Sequence, residues 1–379
     1  MYYLWWKCGK FIKIHNSSNC SMYCFDKIGG LQMLRGKLIP EQVPLGIDLG
    51  RSSIKIVELS KLRSKFVLKR FTIEEFSVPQ DDEGDNQGEQ IGQYLRECLD
   101  KYKIKNKNAY LAIKNDDVVI RTISFPPMPQ SELAQAVDYE ADNYIMMPKN
   151  QANVDWHILK QDEHGITVLL LAARKDLINK YHEVCETAGI KLKALDVEVF
   201  SLKRLVDFLE THNKDNFSGK VDGHLTLTLD MGAGGTTLLF TKKNNYVFSR
   251  NISIGGMDFT KAISQEAGIS FQEAEQNKDQ VNYLEYNSVL GQAQDLLREI
   301  ARSVEYVNSQ KLSKGDPEQL YVTGGGWRMK GLLDYIRENL GTTPEIVNPF
   351  KHIKSRGELV TEGMMASIAT GLALRRWTK

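Results

Sequence analysis

The sequence predicts an α/β protein with two domains, because one strand–aspartate–glycine pattern occurs twice and a third glycine turn follows another strand. The first copy is Leu45–Leu59, LGIDLGRSSIKIVEL, and the second is Leu229–Phe240, LDMGAGGTTLLF. The third element is Leu320–Leu332, LYVTGGGWRMKGL, where three glycines separate a strand from a helix. One glycine-rich turn alone is typical of a tight hairpin, so the repetition carries the prediction.

The two strand–turn–strand hairpins together favour a nucleotide-binding cleft. Backbone amides in each turn can surround phosphate groups from opposite sides. Asp48 and Asp230 end the first strand of each hairpin, and two carboxylates placed in this way can hold a hydrated magnesium ion.

These three elements resemble the two phosphate motifs and the adenosine motif of the actin-like ATPase superfamily. The resemblance implies two ribonuclease-H-like cores with ATP between them, and Mg²⁺ held through water by Asp48 and Asp230. Lys55 stands seven residues after Asp48, where actin has its phosphate-contacting lysine. The nucleotide-binding residues that the resemblance implies are Asp48, Gly50, Arg51, Ser52, Ser53, Lys55, Asp230, Gly232, Gly234, Gly235, Thr236, Thr237, Gly324, Gly325 and Gly326.

Length and composition agree with a globular protein of two domains. The 379 residues are 42% hydrophobic and carry a formal net charge of +1, which argues against nucleic acid as a partner. The longest mostly apolar run, Ile166–Ala173, is too short to span a bilayer, so a membrane role is expected only through a partner.

Residues 1–43 form an atypical N-terminal segment. Its first 32 residues contain three of the five cysteines and an aromatic cluster, and we expect that the start codon is assigned too early and that Met33 is the natural start. The remaining cysteines, Cys98 and Cys185, are then ordinary thiols in a reducing compartment.

The elements after the first hairpin alternate between strand and helix patterns. Phe66–Ile73 is predicted to be a strand, Gln80–Gln90 a solvated loop and Ile91–Tyr102 a helix. A separate inserted unit is predicted over residues 109–189, with strands AYLAI, VVIRTISF, Val154–Leu159 and Ile166–Ala173. Its two helices are predicted to begin at a Ser131 cap and to span Lys175–Ala188.

The insert refines the resemblance from superfamily to family, because a small α/β subdomain at this place is typical of the FtsA and PilM proteins. Arg121–Pro148, RTISFPPMPQSELAQAVDYEADNYIMMP, is similar to PilM of type IV pilus machines. The first actin-like domain is then expected over residues 44–108, 190–220 and 351–379. The second is expected over 221–350, with a helical subdomain over 256–310.

Further positions follow from the family pattern. Glu198 stands where MreB and the chaperones have an acid that positions the attacking water, and Asp196 is the alternative if the alignment slips; both are equally well explained as polar residues at a helix start. FtsA and PilM share a Gly-Gly turn and a later Ala-Glu-x-x-Lys, here Gly255-Gly256 and Ala274, Glu275 and Lys278. The final helix, Gly363–Arg375, has small residues that permit close packing.

The resemblance to PilM implies a cytoplasmic ATP-binding protein, peripheral to the inner membrane, that docks on the N-terminal tail of PilN. It implies links to PilO, PilP and the pilus motors, and homo-oligomers are possible in this superfamily. The tail is expected in a groove beside the insert, near Phe125, Ile145 and Met147. The alternatives are an FtsA- or MreB-like filament-forming ATPase, or a sugar kinase for which no general base is evident.

The identity of Thr237 indicates whether the protein only binds ATP or also hydrolyses it. It stands where FtsA and the chaperones have an acid, seven residues after Asp230, and a hydroxyl cannot act as a base at neutral pH. The chain also stops at Lys379 without the amphipathic anchor that FtsA uses. We therefore expect a PilM-like protein with weak or absent ATPase activity.

Overall fold

The computed structural model describes residues 33–34, 37–38, 41–62, 65–75, 87–145, 147–212, 224–313, 315–355 and 360–376. The predictions for residues 1–32 and for most of the loop 80–90 lie outside these ranges. Among the helices in the described ranges, none combines the length and the apolar character needed to cross a bilayer.

Helices and strands are numbered in chain order. The first part contains β1 (Met33–Leu34), β2 (Lys37–Leu38), β3 (Glu41–Gln42), β4 (Leu45–Leu49), β5 (Ser53–Leu62), β6 (Lys65–Glu75), α1 (Gln87–Lys101) and β7 (Asn108–Ile113). The middle contains β8 (Val118–Phe125), α2 (Gln130–Tyr144), β9 (Ala152–Asp162), β10 (Gly165–Arg174), α3 (Lys175–Thr187), β11 (Lys191–Val197) and α4 (Glu198–His212). The last part contains β12 (Leu225–Met231), β13 (Thr236–Lys242), β14 (Asn245–Ile252), α5 (Gly256–Ala267), α6 (Phe271–Asn277), α7 (Asn287–Ser309), β15 (Gln319–Thr323), α8 (Leu332–Leu340), β16 (Pro344–Ile346), α9 (Val360–Gly363) and α10 (Ser367–Leu374).

The first domain is built on a mixed six-stranded sheet. Its order is β11-β7-β4-β5-β3, and β6 also pairs with β5. Strands β4, β5 and β6 are successive antiparallel partners, whereas β7 lies parallel to β4 and β11 parallel to β7. Helices α1 and α3 pack together on one face, and α4 and α10 cover the other.

The second domain repeats this topology. Its five-stranded sheet has the order β14-β13-β12-β15-β16. Strands β12, β13 and β14 are again successive antiparallel partners, and β15 and β16 are again parallel additions. Two copies of one sheet pattern therefore place the first and second glycine turns at corresponding positions of their domains. Helices α5 to α8 complete the second core.

The inserted unit is smaller than the sequence predicts. It consists of a three-stranded antiparallel sheet, β8-β10-β9, and helix α2. Strand β7, assigned to the insert from the sequence, pairs with β4 and β11 in the large sheet, and α3 packs on α1 of the first domain. The boundaries at 109 and 189 are therefore wrong, and the separate sheet is confined to residues 118–174. Periodicity identifies strands but does not show which sheet they join.

Two details of the insert also differ from expectation. Helix α2 begins at Gln130 with Pro129 as its N-cap, so Ser131 lies inside the helix and does not cap it. Phe125 and Ile145, expected at the rim of a groove, are each 7% exposed and belong to the core of the insert, where Met147 packs against them. The apolar residues of the Pro-bounded segments stabilise the insert itself.

Close helix packing joins the first domain to the end of the chain. A Cβ on Gly371 would lie 1.9 Å from the carbonyl oxygen of Ser201 in α4, and a Cβ on Gly46 would lie 1.9 Å from the carbonyl oxygen of Ala369. These contacts confirm that small residues permit the final helix to pack closely. The insert contributes Leu169 and Leu171 to a core that also contains Leu239 of the second domain.

Candidate functional site

The first glycine turn connects β4 to β5 and presents one acid and one cation. The Gly50 amide donates to the Ser53 carbonyl oxygen at 3.1 Å. Asp48 and Lys55 are Cα partners across the hairpin, and Lys55 Nζ lies 3.2 Å from Asp48 Oδ2. A Cβ on Gly50 would lie 2.6 Å from Lys55 Nζ, so glycine leaves room for the ammonium group. Ser52 is exposed and Ser53 buried.

The second glycine turn connects β12 to β13 in the same manner. The Gly232 amide donates to the Gly235 carbonyl oxygen at 2.9 Å, and Thr236 Oγ1 donates to the Ile254 carbonyl oxygen at 2.7 Å. Asp230 faces Thr237 across this hairpin. The two hairpins thus place Asp48 and Asp230 equivalently, but only the first has a lysine opposite its acid.

The third glycine turn packs directly against the second hairpin. Gly324 has a φ of 93°, and a Cβ there would lie 2.5 Å from Asp230 Oδ1. A Cβ on Gly326 would lie 2.3 Å from Met231 Cγ, whereas Gly325 faces Met365. Side chains at Gly324 and Gly326 would separate the turn from β12, which explains the glycines at these two positions.

Three carboxylates, Asp48, Glu198 and Asp230, influence one another electrostatically where the domains meet. Burial, together with the Asp48 carboxylate and against the opposing effect of Lys55, raises the pKa of Asp230 to about 7. Burial likewise raises the pKa of Glu198 to about 8, with Asp48 and Asp230 adding to the increase. Like charges gathered in a partly dry cleft repel one another, and a bound cation would relieve that repulsion.

Asp196, the alternative to Glu198, lies in a different environment. It is 1% exposed and forms ion pairs with Arg204, at 2.9 Å, and with Arg375. Burial acts to raise its pKa, but Arg375 and Arg204 hold the pKa below its ordinary value. Its carboxylate links β11, α4 and the end of α10, and the electrostatic effect of Asp48 and Asp230 falls on Glu198 and not on Asp196.

A series of hydrogen bonds between polar side chains connects the two domains beside these acids. The sequence does not reveal it. Asn115 lies in a short 3₁₀ turn after β7 and donates from its amide group to Thr237 Oγ1 at 2.7 Å. Thr237 Oγ1 donates to Asn251 Oδ1 at 3.2 Å, and Asn251 Nδ2 donates to Asp116 Oδ1 at 2.6 Å. The Asn115 backbone amide also donates to Glu198 Oε2 at 3.2 Å. Asn115 therefore forms hydrogen bonds with both Glu198 and Thr237.

The sequence offers one signal for Asn115 and Asp116. Both follow the C-terminal end of a strand that lies parallel to β4, and ligand sites in α/β sheets gather at that edge. Because the sequence pattern assigned β7 to the insert, the position of Asn115 and Asp116 at this edge of the large sheet was not predicted. Asn251 lies on the edge strand β14 and has no comparable sequence signal.

The helical part of the second domain meets the second turn at the start of α5. The Gly256 amide donates to the Gly232 carbonyl oxygen at 2.9 Å, and the Met257 amide donates to the Ala233 carbonyl oxygen at 2.8 Å. Lys278 Nζ donates to Glu275 at 2.6 Å and to Thr260 Oγ1 at 2.9 Å. The ammonium group also lies 3.4 Å from the Gly256 carbonyl oxygen, which places a buried cation beside the glycine turns.

A cavity of about 580 Å³ opens beside the two phosphate-type turns, large enough for a small-molecule ligand. The residues that line it come from both domains: Arg51, Asp116, Gly234, Ser253, Met257, Asp258, Lys261 and Phe271.

The acids of the site fit a hydrated cation better than a fully protein-bound one. No group of three or more metal-ligating side chains lies together in the described ranges. Mg²⁺ usually keeps several waters and takes one or two carboxylates plus phosphate oxygens. Two aspartates, with raised pKa at Asp230 and an open cavity nearby, therefore agree with Mg²⁺ bound together with a phosphate-bearing ligand.

Comparison with known proteins gives the family context of this site. The family model described as "Type IV pilus assembly protein PilM" matches residues 46–377. A solved PilM–PilN type IV pilus biogenesis complex has a chain that is 26% identical, with a TM-score of 0.76, over 88% of this chain and 98% of its own. The ethanolamine utilization protein EutJ from Carboxydothermus hydrogenoformans is 17% identical, with a TM-score of 0.50, over 89% of this chain and 90% of its own.

These similarities confirm the predicted fold. Both solved structures cover nearly the whole chain, and the two sheets repeat one topology as the predicted pair of ribonuclease-H-like cores requires. The architecture is therefore the actin-like ATPase fold, with a small α/β insert in the first domain.

Proposed function

The chain belongs to the PilM family of type IV pilus assembly proteins, and from this premise we propose that it binds ATP with Mg²⁺ and docks on the cytoplasmic tail of the membrane protein PilN. The observation that carries the nucleotide proposal is the pair of equivalent strand–aspartate–glycine hairpins, one in each domain, beside a cavity lined by residues of both turns. In this assignment the protein lies in the cytoplasm at the inner membrane and links PilN, with PilO and PilP, to the pilus motors.

Each part of the cleft has a role in this proposal. The amides of the first and second turns would surround the phosphates, and Asp48 and Asp230 would hold Mg²⁺ through water. Lys55 would balance negative charge at the first turn, and the glycines 324–326 would admit the adenosine. The bound cation would supply charge neutralisation, while the chain itself orients the phosphates and limits the access of water.

The nucleotide proposal is tested by calorimetric titration of ATP with Mg²⁺ into purified protein. Asp48→Ala and Asp230→Ala should each weaken binding about 10- to 100-fold, the range found when groups that act through bound water are removed. The control is Asp334→Ala, which removes an acid of α8 that pairs with Arg337 at the surface. If both cleft variants bind ATP as tightly as the parent, the site is wrongly placed.

The docking proposal is supported by the PilM–PilN complex and by the shape of the insert. Strands β8 and β9 are the two outer strands of its sheet, so each has an edge to which an extended peptide can add. A narrow cavity lies between β9, represented by Asn153 and Asp155, and β11 of the first domain, represented by Leu195 and Val197. We propose that the PilN tail binds along this junction.

The docking proposal is tested by fluorescence anisotropy with a synthetic PilN tail peptide. Val118 and Ala173 are Cα partners in neighbouring strands, so residues 119–172 can be replaced by two glycines without stretching the chain. This variant should lose peptide binding and keep ATP binding.

Point variants refine the docking test. Asp155→Arg at the junction should weaken binding, whereas Glu163→Arg makes the same charge change at the exposed β9–β10 turn and should not. Equal peptide binding by the parent, the deletion and Asp155→Arg would exclude the insert as the docking site.

A further inference from the structure

Arg51 is the residue of the first turn that reaches the second domain. A Cβ on Gly234 would lie 2.5 Å from Arg51 Cδ, 2.8 Å from its Nε and 2.7 Å from its Nη1. The arginine side chain therefore lies directly on the backbone of the second turn, in the space that the missing side chain of Gly234 provides. Both residues line the 580 Å³ cavity, so the contact spans the cleft at its open side.

Among the described residues, no acid forms a salt bridge with Arg51, although Asp116 and Asp258 line the same cavity. In the described ranges the cation of Lys55 is paired with Asp48 at 3.2 Å, whereas Arg51 forms no salt bridge within those same ranges. A guanidinium presents N–H groups in a planar fork that matches the oxygens of a phosphate. An anion in the cavity would thus find an available bidentate partner.

The position of Arg51 along the second turn indicates which phosphate it would meet. A Cβ on Gly256 would lie 3.5 Å from Gly326 Cα and 3.7 Å from the Gly232 carbonyl oxygen, so the Gly232 end of the turn adjoins the third glycine turn. The nearest atoms to Gly234 all belong to Arg51. Arg51 therefore lies at the end of the turn that is farther from the adenosine side.

We propose that Arg51 contacts the terminal phosphate and makes the site prefer a nucleoside triphosphate to a diphosphate. This inference rests on the proposed nucleotide site and adds a specificity-determining residue to it. A triphosphate reaches the guanidinium, whereas a diphosphate ends nearer Gly232. Arg51 belongs to one domain and Gly234 to the other. Binding of the terminal phosphate to Arg51 would therefore change a contact between the two domains.

The test compares the affinities for ADP and for a non-hydrolysable ATP analogue, each with Mg²⁺, by calorimetry. Arg51→Gln keeps a side chain of similar polarity without the charge. It should weaken binding of the ATP analogue about tenfold or more, the usual effect of losing a charge-assisted hydrogen bond, and change ADP affinity little. Gly234→Ala should act in the same direction, because its Cβ would displace the arginine while every backbone amide remains.

The control is Arg302→Gln, which makes the same substitution at an exposed position of α7, where the arginine pairs with Glu299, and should leave both affinities unchanged. An equal loss for both nucleotides, or no loss for either, in Arg51→Gln and Gly234→Ala would overturn the role of Arg51. Failure of the unmodified protein to bind either nucleotide would instead refute the proposed nucleotide site. Thermal denaturation without nucleotide verifies that each variant is folded.

Discussion

Asp48 and Asp230 occupy equivalent positions in two sheets of the same topology, but the residues opposite them differ. Lys55 faces Asp48, and Thr237 faces Asp230. The first acid therefore has a cation on its own hairpin, while Asp230 has a hydroxyl that is already bonded to Asn115 and Asn251. In the proposed assignment, bound Mg²⁺ would balance the carboxylate of Asp230, so the second hairpin would be the half of the site that depends more on the ligand.

Glu198 governs the expected rate of ATP hydrolysis. With a pKa raised to about 8 by burial and by Asp48 and Asp230, its carboxyl is largely protonated at neutral pH before a cation binds, and Thr237 cannot act as a base. We expect phosphate release by the purified protein well below about one per second. Glu198→Gln should reduce the residual rate and leave ATP affinity nearly unchanged; release at ordinary enzyme rates that this substitution abolishes would contradict the prediction.

Glu210 provides a residue-scale prediction about stability. Burial, with the neighbouring Asp207 adding to its effect and Thr226 and Lys203 opposing it, raises the pKa of Glu210 to about 7. Since the folded state holds this proton more tightly than the unfolded chain, the free energy of unfolding falls as the pH rises from the ordinary carboxyl range through 7. Glu210→Gln should therefore increase the free energy of unfolding by about 1–2 kcal/mol at pH 8.

The pH dependence is the check on this prediction. Urea unfolding at pH 5 and at pH 8 should show the gain at pH 8 and little gain at pH 5, because the carboxyl is protonated in the folded protein at the lower pH. An equal gain at both values would mean that Gln packs better than Glu and that the charge has no effect.

At the scale of elements, the contact between α4 and α10 fixes the back of the cleft. Gly371 admits the Ser201 carbonyl oxygen, Arg204 Nη1 donates to the Gly371 carbonyl oxygen at 3.1 Å, and Asp196 binds both Arg204 and Arg375. Because α4 begins at Glu198, the position of this helix pair determines how far Glu198 enters the cleft.

Gly371→Ala should destabilise the first domain. Its Cβ would lie 1.9 Å from a backbone atom, so α10 would have to move, and overpacking of this kind costs roughly 1–3 kcal/mol. Gly291→Ala in α7 is the matched control, because a Cβ there meets no atom within 4 Å and alanine favours a helix by about 0.5–1 kcal/mol. Urea unfolding that ranked the two variants in the opposite order would contradict the packing argument.

The elements also show what the sequence could predict. Local patterns were sufficient for the hairpins at Asp48 and Asp230, because a strand, an acid and a glycine turn are all adjacent in the chain. They were sufficient for the type of most helices and strands as well. The motif spacing left Glu198 and Asp196 as alternatives, and of the two only Glu198 is influenced electrostatically by both Asp48 and Asp230.

The errors concern partners that lie far apart in the chain. Strand β7 has the pattern of an insert strand, yet its partners are β4 and β11, and only the assembled sheet decides this. The sequence does not show whether Phe125 and Ile145 lie at the rim of a groove or in the core of the insert. Their burial follows from the packing of α2 on the insert sheet. The chain from Asn115 through Thr237 to Asn251 joins segments over 100 residues apart, and no local pattern marks it.

At the scale of the whole molecule, the insert, the first domain and the second domain share one core. Leu169 and Leu171 of the insert pack in the cluster that holds Leu239 of the second domain and Phe200 of α4. The hydrogen bonds of Asn115 and Asp116 cross the same boundary. These contacts are a physical route by which the proposed nucleotide cleft could be coupled to the proposed docking junction.

This connection predicts reciprocal linkage between ATP and the PilN tail. If ATP with Mg²⁺ changes the affinity for the tail peptide by some factor, the peptide must change ATP affinity by the same factor. We expect ATP to strengthen peptide binding about 5-fold or more, the lower end of usual coupling, and Asp230→Ala to abolish the effect. Identical peptide affinity with and without ATP in the unmodified protein would show that the cleft and the junction are independent.

The contact between Gly46 and Ala369 determines when the first domain can finish folding during protein synthesis. The strand that carries the first turn lies against a helix encoded about 320 residues later, and at about 5–20 residues per second that helix is synthesised roughly 15–60 seconds after the strand. During this interval the second domain, whose strands and helices are contiguous over residues 225–346, can fold while the part of the first sheet that α10 covers is still exposed. Ribosome-bound chains should therefore acquire the second core first, and the cleft is completed only after α10 has been made.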